Sequence, residues 1–187
     1  ILGRSPLFRG IPAGDFGVLL EHLKAETRSY KKGDLICHAG EHTNALGIVL
    51  TGSVTIESDD IFGNRSVLDK VGPGQVFAET YACVPNEPML VNVAAAENCT
   101  VLFLKTAQIL SPCPVNCRHH GKLIENLLLV SAQKNLSLSR RIFHTAPKTI
   151  RGRLISYLSF QAIRENSDSF TIPFNRQQLA DYLSVDR

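Results

Sequence analysis

The stretch Ile48–Ile56, IVLTGSVTI, decides the fold class of this sequence. Its side chains form two alternating series, and a period of two predicts a β-strand with two different faces. Gly52 interrupts the alternation, and a glycine inside such a run predicts a bend or a bulge. The stretch therefore predicts bent β-structure.

Short extended segments continue on both sides, from about Tyr30 to Leu104. The sequence Phe62-Gly63-Asn64-Arg65 predicts a hairpin turn, and Gly72-Pro73-Gly74 predicts another turn. Strands are predicted at 67–71, 91–96 and 100–104. Many short strands with frequent turns are typical of a sandwich or a barrel. We predict that residues 1–117 form a β-barrel sensor domain.

A helical pattern replaces the strands from about His120 to Phe143. Leu123, Leu127 and Val130 predict one apolar face, which we expect to pack on the barrel. A second face repeats in coiled-coil steps and carries a polar residue near its middle, which favours pairing with a second copy. This predicted dimer seam consists of Ile124, Leu128, Ser131, Asn135, Leu138 and Ile142. The alternative is a helix that only covers its own barrel. We assign residues 118–144 to a dimerisation helix.

A third segment, 145–187, begins after Pro147, which disfavours helix in the residue before it. It predicts a helix over Thr149–Ala162, a short extended piece at 170–174, and a short helix with Asn175 as its N-cap. Ser184 lies at a tight turn, and Arg187 is then the first residue of a next helix. We predict an incomplete helix-turn-helix domain, with most of the recognition helix outside this sequence.

The composition is that of an ordinary globular protein, with 44% hydrophobic and 20% charged residues among 187. The net charge is only +3, so nucleic-acid binding depends on where the charge lies. Five cysteines at uneven spacing predict free thiols, and no apolar run is long enough to cross a membrane. We expect a cytoplasmic protein. The C-terminal third carries a cluster of basic residues: Arg140, Arg141, Lys148, Arg151, Arg153, Arg164, Arg176 and Arg187.

With these motifs the sequence resembles the Crp/Fnr family of bacterial transcription regulators. The resemblance implies an α+β architecture: a cyclic-nucleotide-binding-type β-barrel (a double-stranded β-helix or jelly roll), a long dimerisation helix and a winged helix-turn-helix. It also implies a homodimer on a palindromic operator, with RNA polymerase as a further partner. The segments that carry it are 32–36, 39–41, 48–54, 72–79 and 179–187.

The resemblance also implies DNA-contacting residues. Arg187 is similar by position to the family's first base-reading arginine, which grips guanine with its guanidinium fork. Asn175, Arg176 and Gln177 match positions that hold the phosphate backbone. The alternative for Arg176 is a solvated surface charge.

The sequence departs from the family in the effector pocket, where Gly74 and Glu79 match family positions. Nucleotide-binding members hold phosphate with an arginine about ten residues after this glutamate, but here Met89 and Leu90 occupy the site. Because neither side chain pairs with a phosphate anion, we predict that cyclic AMP and cyclic GMP do not bind in the usual way. Leu138 and Ser139 are expected to face this pocket from the helix. The effector is then an unknown small molecule.

Three other interpretations were considered. Cys113, Cys117, His119 and His120 are of ligand type for a metal or redox sensor, but their spacing matches no standard site, so no metal is predicted. His38, Glu41 and His42 are an incomplete counterpart of the metal-ligand set of a cupin-type enzyme. The sequence carries no phosphate loop or nucleophile elbow, and we expect no catalysis. A regulatory binding module without DNA binding is the remaining alternative.

Overall fold

The computed structural model describes residues 1–59, 65–111 and 119–185. The chain divides into two compact units, Ile1–Ser131 and Ala132–Arg187. The division falls inside the long helix rather than at Pro147. The three predicted segments, 1–117, 118–144 and 145–187, stay a prediction.

The first unit contains two four-stranded antiparallel sheets, in the orders β1-β8-β3-β6 and β2-β7-β4-β5. This arrangement confirms the predicted sandwich or jelly-roll architecture for the N-terminal part. The strands are β1 (Glu26–Tyr30), β2 (Leu35–Cys37), β3 (Ala45–Thr51), β4 (Val54–Asp59), β5 (Arg65–Val71), β6 (Val76–Phe77), β7 (Asn92–Ala95) and β8 (Cys99–Lys105).

Gly52 joins β3 to β4 with φ +72°, a backbone conformation that favours glycine. A Cβ atom at Gly52 would lie 2.9 Å from the Cα of Cys99, so the neighbouring backbone also leaves no room for a side chain. The β3–β8 register shifts between Val49 and Thr51. The predicted bend is therefore confirmed. The predicted hairpin residues Phe62–Asn64 lie outside the described residues, whereas β4 and β5 pair with Asp59 opposite Arg65.

Two hydrophobic cores lie on opposite faces of the first sheet. One packs Leu46, Ile48 and Leu102 against the helices of the unit. The other joins Val49 and Val101 to residues of the second sheet. The space between the sheets is thus a separate core.

The helices of the first unit include several that the sequence pattern did not predict. They are 3-10 turns at Leu2–Arg4, Pro6–Phe8 and Ala13–Asp15, and α1 (Phe16–His22), α2 (Glu79–Cys83) and α3 (Thr106–Leu110). The long helix α4 (His120–Thr145) was predicted and extends two residues further. Its buried residues Leu123, Leu127 and Val130 pack in the first core, as expected.

Asn126 fixes α4 to the N-terminal segment. Its side chain is 2% exposed, and its amide donates to the carbonyls of Leu7 at 2.9 Å and Arg9 at 2.8 Å. A buried amide that donates to one buried and one part-buried carbonyl holds the helix in one register on the core.

The second unit comprises the end of α4, then α5 (Ile150–Glu165) and α6 (Arg176–Leu183). Thr149 caps α5 by accepting from the amide of Gly152. Residues 170–174 were predicted as an extended piece, but no strand is assigned to them, because no second strand in the described part of this unit pairs with them. No helix within the described ranges is long and apolar enough to span a membrane.

Candidate functional site

Aromatic side chains fill the space between the two sheets. Phe77 is fully buried, and its ring centroid lies 6.4 Å from that of Phe103, which lies 6.5 Å from that of Tyr30. Met89 is 2% exposed in the same core. The protein therefore occupies much of this interior with its own side chains.

The predicted effector residues of the first unit lie in different environments. Glu79 and Met89 are each 2% exposed, whereas Leu90 is 69% exposed. Gly74 faces the backbone of Ser5, whose nitrogen would lie 3.6 Å from an added Cβ. Hence Met89 contributes a buried thioether where a phosphate-binding arginine was sought, and Leu90 is directed to solvent.

The two effector residues predicted on α4 lie in the second unit. Leu138 is 62% exposed and Ser139 is half-buried. Their place in a pocket with Glu79 and Met89 stays a prediction.

Two clefts lie elsewhere on the first unit, and neither is lined by Glu79 or Met89. One, of about 400 Å³, is lined by residues that include Ser29, Asn98 and Thr100. The other, of about 340 Å³, is flanked by Arg28 and Lys105. Both carry exposed polar side chains, as solvated surface clefts do.

The cysteines in the described ranges behave as small hydrophobic residues. Burial raises the pKa of the Cys37 thiol to about 11 and also raises the pKa of Cys83 and Cys99. All three thiols are free, and their protonated form is favoured. Cys113 and Cys117 lie outside the described residues.

The histidine candidates for a metal site have other partners. His119 Nε2 lies 2.8 Å from Asp15 Oδ2, and buried His120 lies 2.6 Å from the carbonyl of Ile109. His38, Glu41 and His42 are exposed. Within the described ranges, the structure brings no three metal-ligating side chains of His, Cys, Asp or Glu together.

Helix α6 begins at the predicted N-cap. Asn175 Oδ1 accepts from the Gln178 amide at 2.9 Å, while Gln178 Oε1 accepts from the Asn175 amide at 2.9 Å. This reciprocal capping box satisfies two donors of the first turn and predicts a well-defined helix start. Gln177 donates to Asp181 at 2.9 Å, and Arg176 is exposed.

The end of α6 also has the predicted tight turn. Ser184 adopts a left-handed conformation with φ 53° and ψ 52°, a place often held by glycine. Asp186 and Arg187, the predicted cap and base-reading residue, lie outside the described residues.

An aromatic cluster packs the three helices of the second unit around His144. His144 is 3% exposed, and its ring centroid lies 5.5 Å from that of Tyr157 and 5.3 Å from that of Phe160. Burial lowers the pKa of His144 and raises the pKa of Tyr157 and Tyr182. The sequence analysis did not predict this buried histidine. Its position beside a helix end and between aromatic segments could have indicated it.

The predicted dimer seam on α4 is largely exposed in the single chain. Ile124 is 36%, Leu128 69% and Ile142 67% exposed. Ser131 is half-buried and Asn135 is exposed. The helix thus has one apolar stripe buried in its own core and a second that faces solvent.

Comparison with known proteins finds a family match within the first unit. Residues 27–113 match the family model of the cyclic nucleotide-binding domain. No curated protein matches the chain.

Several solved structures share the fold. The catabolite activator protein of Thermus thermophilus is 20% identical, with a TM-score of 0.60 over 97% of this chain and 81% of that one. The N-terminal domain of a transcriptional regulator from Streptomyces coelicolor A3(2) is 23% identical, with a TM-score of 0.58 over 73% and 93%. A regulatory subunit of a cAMP-independent protein kinase A from Trypanosoma brucei is 21% identical, with a TM-score of 0.54 over 72% and 44%.

These similarities establish the fold and not the ligand, because all three identities are low. The family match covers residues 27–113, and the strands of the two sheets lie within almost the same range, from Glu26 to Lys105. The first unit accordingly has the fold of a cyclic nucleotide-binding domain, and solved structures that share it include transcription regulators.

Proposed function

We propose that this protein is a cytoplasmic DNA-binding transcription regulator of the Crp/Fnr type, not an enzyme, whose homodimer binds a palindromic operator under the control of an effector other than cyclic AMP. The observation that carries the proposal is α6. A stretch similar to a cyclic nucleotide-binding domain is followed by a helix with a capping box at its start and a left-handed residue at its end, which fits the first helix and the turn of a helix-turn-helix. RNA polymerase is a further partner implied by this type of regulator.

The charge distribution of the second unit supports a DNA-binding role. Arg176 is exposed in the first turn of α6, and Lys148, Arg151 and Arg140 are exposed on the neighbouring helices and linker. Exposed cations on one small unit provide the sequence-independent part of DNA affinity. Asn175 and Gln177 lie at the same helix start, with Asn175 fixed as the cap, so α6 presents this turn in a defined orientation.

The exposed stripe on α4 supports the dimer. Leu128, Leu138 and Ile142 are each more than 60% exposed, and they repeat at coiled-coil spacing. Burying such a stripe against a second copy removes apolar surface from water, which stabilises association. A two-fold dimer would present the two recognition helices that follow α6 to two half-sites about one helical turn apart.

The filled interior supports an effector other than a cyclic nucleotide. Phe77 and Met89 occupy the space between the sheets, and Met89 offers no charge to a phosphate. We expect isothermal titration of the protein with cyclic AMP or cyclic GMP to show no saturable heat. Micromolar binding of either nucleotide contradicts this part of the proposal.

The test of DNA binding is selection from random duplexes with the full-length protein. We expect an enriched motif with two-fold symmetry and half-sites one helical turn apart. Arg176→Gln is a suitable comparison, because loss of one phosphate contact lowers affinity for all sequences. It should also reduce the slope of log affinity against log salt by about 1. No enrichment, or an asymmetric single site, contradicts the proposal.

A regulatory module without DNA binding is the second candidate. The observation that favours it is that the barrel fold also occurs in a kinase regulatory subunit. It predicts a protein partner for the exposed α4 stripe and no affinity for duplexes at any salt concentration.

A further inference from the structure

The carbonyl end of α6 is held by two arginines from other helices. Arg141 of α4 donates from Nε to the carbonyl of Tyr182 at 3.1 Å and from Nη2 to that of Asp181 at 3.2 Å. Arg153 of α5 donates from Nη1 to the carbonyls of Leu183 at 3.0 Å and Ser184 at 2.6 Å. We refer to these two guanidinium groups and the carbonyls they bind as the arginine clamp.

The arginine clamp completes the hydrogen bonding of the helix end. A helix leaves its last four carbonyls without partners inside the helix. Here Val185 donates to the carbonyl of Ala180 at 3.0 Å and Ser184 to that of Asp181 at 3.2 Å, and the arginines bind the carbonyls that follow. Every carbonyl from 180 to 184 therefore accepts a hydrogen bond. Two cations also offset the partial negative charge at this end of the helix.

The same arginines connect α6 to the elements before it. Arg153 Nε donates to the carbonyl of Pro147 at 2.9 Å, so one side chain binds both the α4–α5 linker and the turn after α6. The guanidinium of Arg141 also lies 5.7 Å from the centre of the Tyr182 ring. Arg141 belongs to the helix that carries Leu138 and Ile142 of the predicted dimer seam.

We propose that Arg141 and Arg153 are positioning residues for DNA binding: the arginine clamp fixes the direction in which the chain leaves α6 toward the next helix, and neither arginine is a phosphate contact. This inference rests on the proposed function. Both side chains are half-buried and their donors point at carbonyls, whereas Arg140, Arg151 and Arg176 are exposed. The basic residues of this unit thus divide into internal and external sets.

The clamp also links α4 to α6 without passing through the linker. A change in how two α4 helices pack moves Arg141, and Arg141 is bonded to the last turn of α6. The Pro147 carbonyl is itself bound, so the linker is held by the clamp instead of acting as a free hinge.

The test uses charge-preserving substitutions. Arg141→Lys and Arg153→Lys keep the charge but replace a planar fork with a single ammonium, which cannot bind two carbonyls in the same geometry. We expect each to lower affinity for the selected duplex by roughly tenfold, the effect of one charge-assisted hydrogen bond. Arg9→Lys, at an exposed arginine of the first unit, is the control for the same change of side chain and should leave affinity unchanged.

Charge-removing substitutions separate positioning from phosphate contact. For Arg153→Gln we expect lower affinity with an unchanged slope of log affinity against log salt. A phosphate contact would instead reduce that slope by about 0.9, and its lysine variant would keep the wild-type affinity. That second pattern overturns the inference.

A DNA-independent measurement tests the clamp itself. We expect faster hydrogen exchange at the amides of Ser184 and Val185 in both lysine variants, with wild-type exchange in Arg9→Lys. Unchanged exchange in the clamp variants overturns the inference even if the protein binds DNA. If the wild-type protein binds no duplex, the proposed function fails and the DNA role of the clamp fails with it, whereas faster exchange would still identify the clamp as structural.

Discussion

Gly47 and Phe77 give the sharpest test of how the interior of the barrel is filled. A Cβ atom on Gly47 would lie 2.5 Å from Cε1 and 2.7 Å from Cε2 of the Phe77 ring, well inside van der Waals contact. The ring is fully buried and packs against Phe103, so it has little room to withdraw. Gly47→Ala therefore overpacks the core, which typically costs about 1–3 kcal/mol of stability.

A second substitution should relieve that strain. Phe77→Leu alone costs roughly 1.5 kcal/mol by loss of packing. In the double variant the smaller side chain makes room for the new methyl group. We therefore expect the double variant to lose at least about 1 kcal/mol less free energy of unfolding than the two single variants lose in sum.

The assay is urea unfolding followed by far-ultraviolet circular dichroism, since the chain has no tryptophan. Gly17→Ala is the control, because nothing lies within 4 Å of its added Cβ, and its stability should be unchanged or slightly higher. Additivity of Gly47→Ala and Phe77→Leu within about 0.5 kcal/mol would refute the reasoning that Phe77 fills this space.

Three further substitutions test the seat of α4, the buried histidine and the α6 cap. Asn126→Ala should destabilise the first unit by about 1–3 kcal/mol, because the buried Leu7 carbonyl and the part-buried Arg9 carbonyl lose their donor. Gln133→Ala, at an exposed position, should stay within about 0.5 kcal/mol, and equal small effects in urea unfolding would contradict this. Burial lowers the pKa of His144, so near neutral pH the unfolded chain binds more protons at this residue than the folded chain does. The free energy of unfolding therefore falls as the pH drops below 6.5, the pKa of the unfolded chain's histidine. His144→Phe should reduce that loss in thermal unfolding, and an identical pH dependence would count against it. Asn175→Ala should cost about 1 kcal/mol of stability by removing the capping box, which chemical unfolding followed by helical circular dichroism measures; no change would argue against the cap.

The features that were predicted from the sequence depend on local chemistry. The bend at Gly52 follows from a positive φ, which glycine adopts without strain. Helix α4 has a strong period of 3.6 residues, and the start of α6 is specified by a cap within four residues. Local signals of this kind need no knowledge of distant parts of the chain.

The short helices and the filled interior could not be predicted in this way. α2 and α3 have only five residues each, and helices of this length form through tertiary packing rather than propensity. The steric pairing of Gly47 with Phe77 joins β3 to β6 across thirty positions of sequence, so no local window contains it.

The basic residues of the C-terminal third show the same limitation at the candidate site. The sequence pattern grouped Arg141 and Arg153 with the other cations as a nucleic-acid-binding surface. Their partners are backbone carbonyls at the end of α6, and backbone acceptors are invisible in a count of charges. Only the folded arrangement separates cations that hold the protein together from cations that face solvent.

Sedimentation of the full-length protein with a duplex tests whether a dimer of this protein binds DNA. We expect a dimer in the absence of DNA, and one dimer bound per duplex of the selected sequence, with binding that weakens steeply as salt is raised. A stable monomer, or a dimer that does not sediment with DNA at low salt, would contradict it.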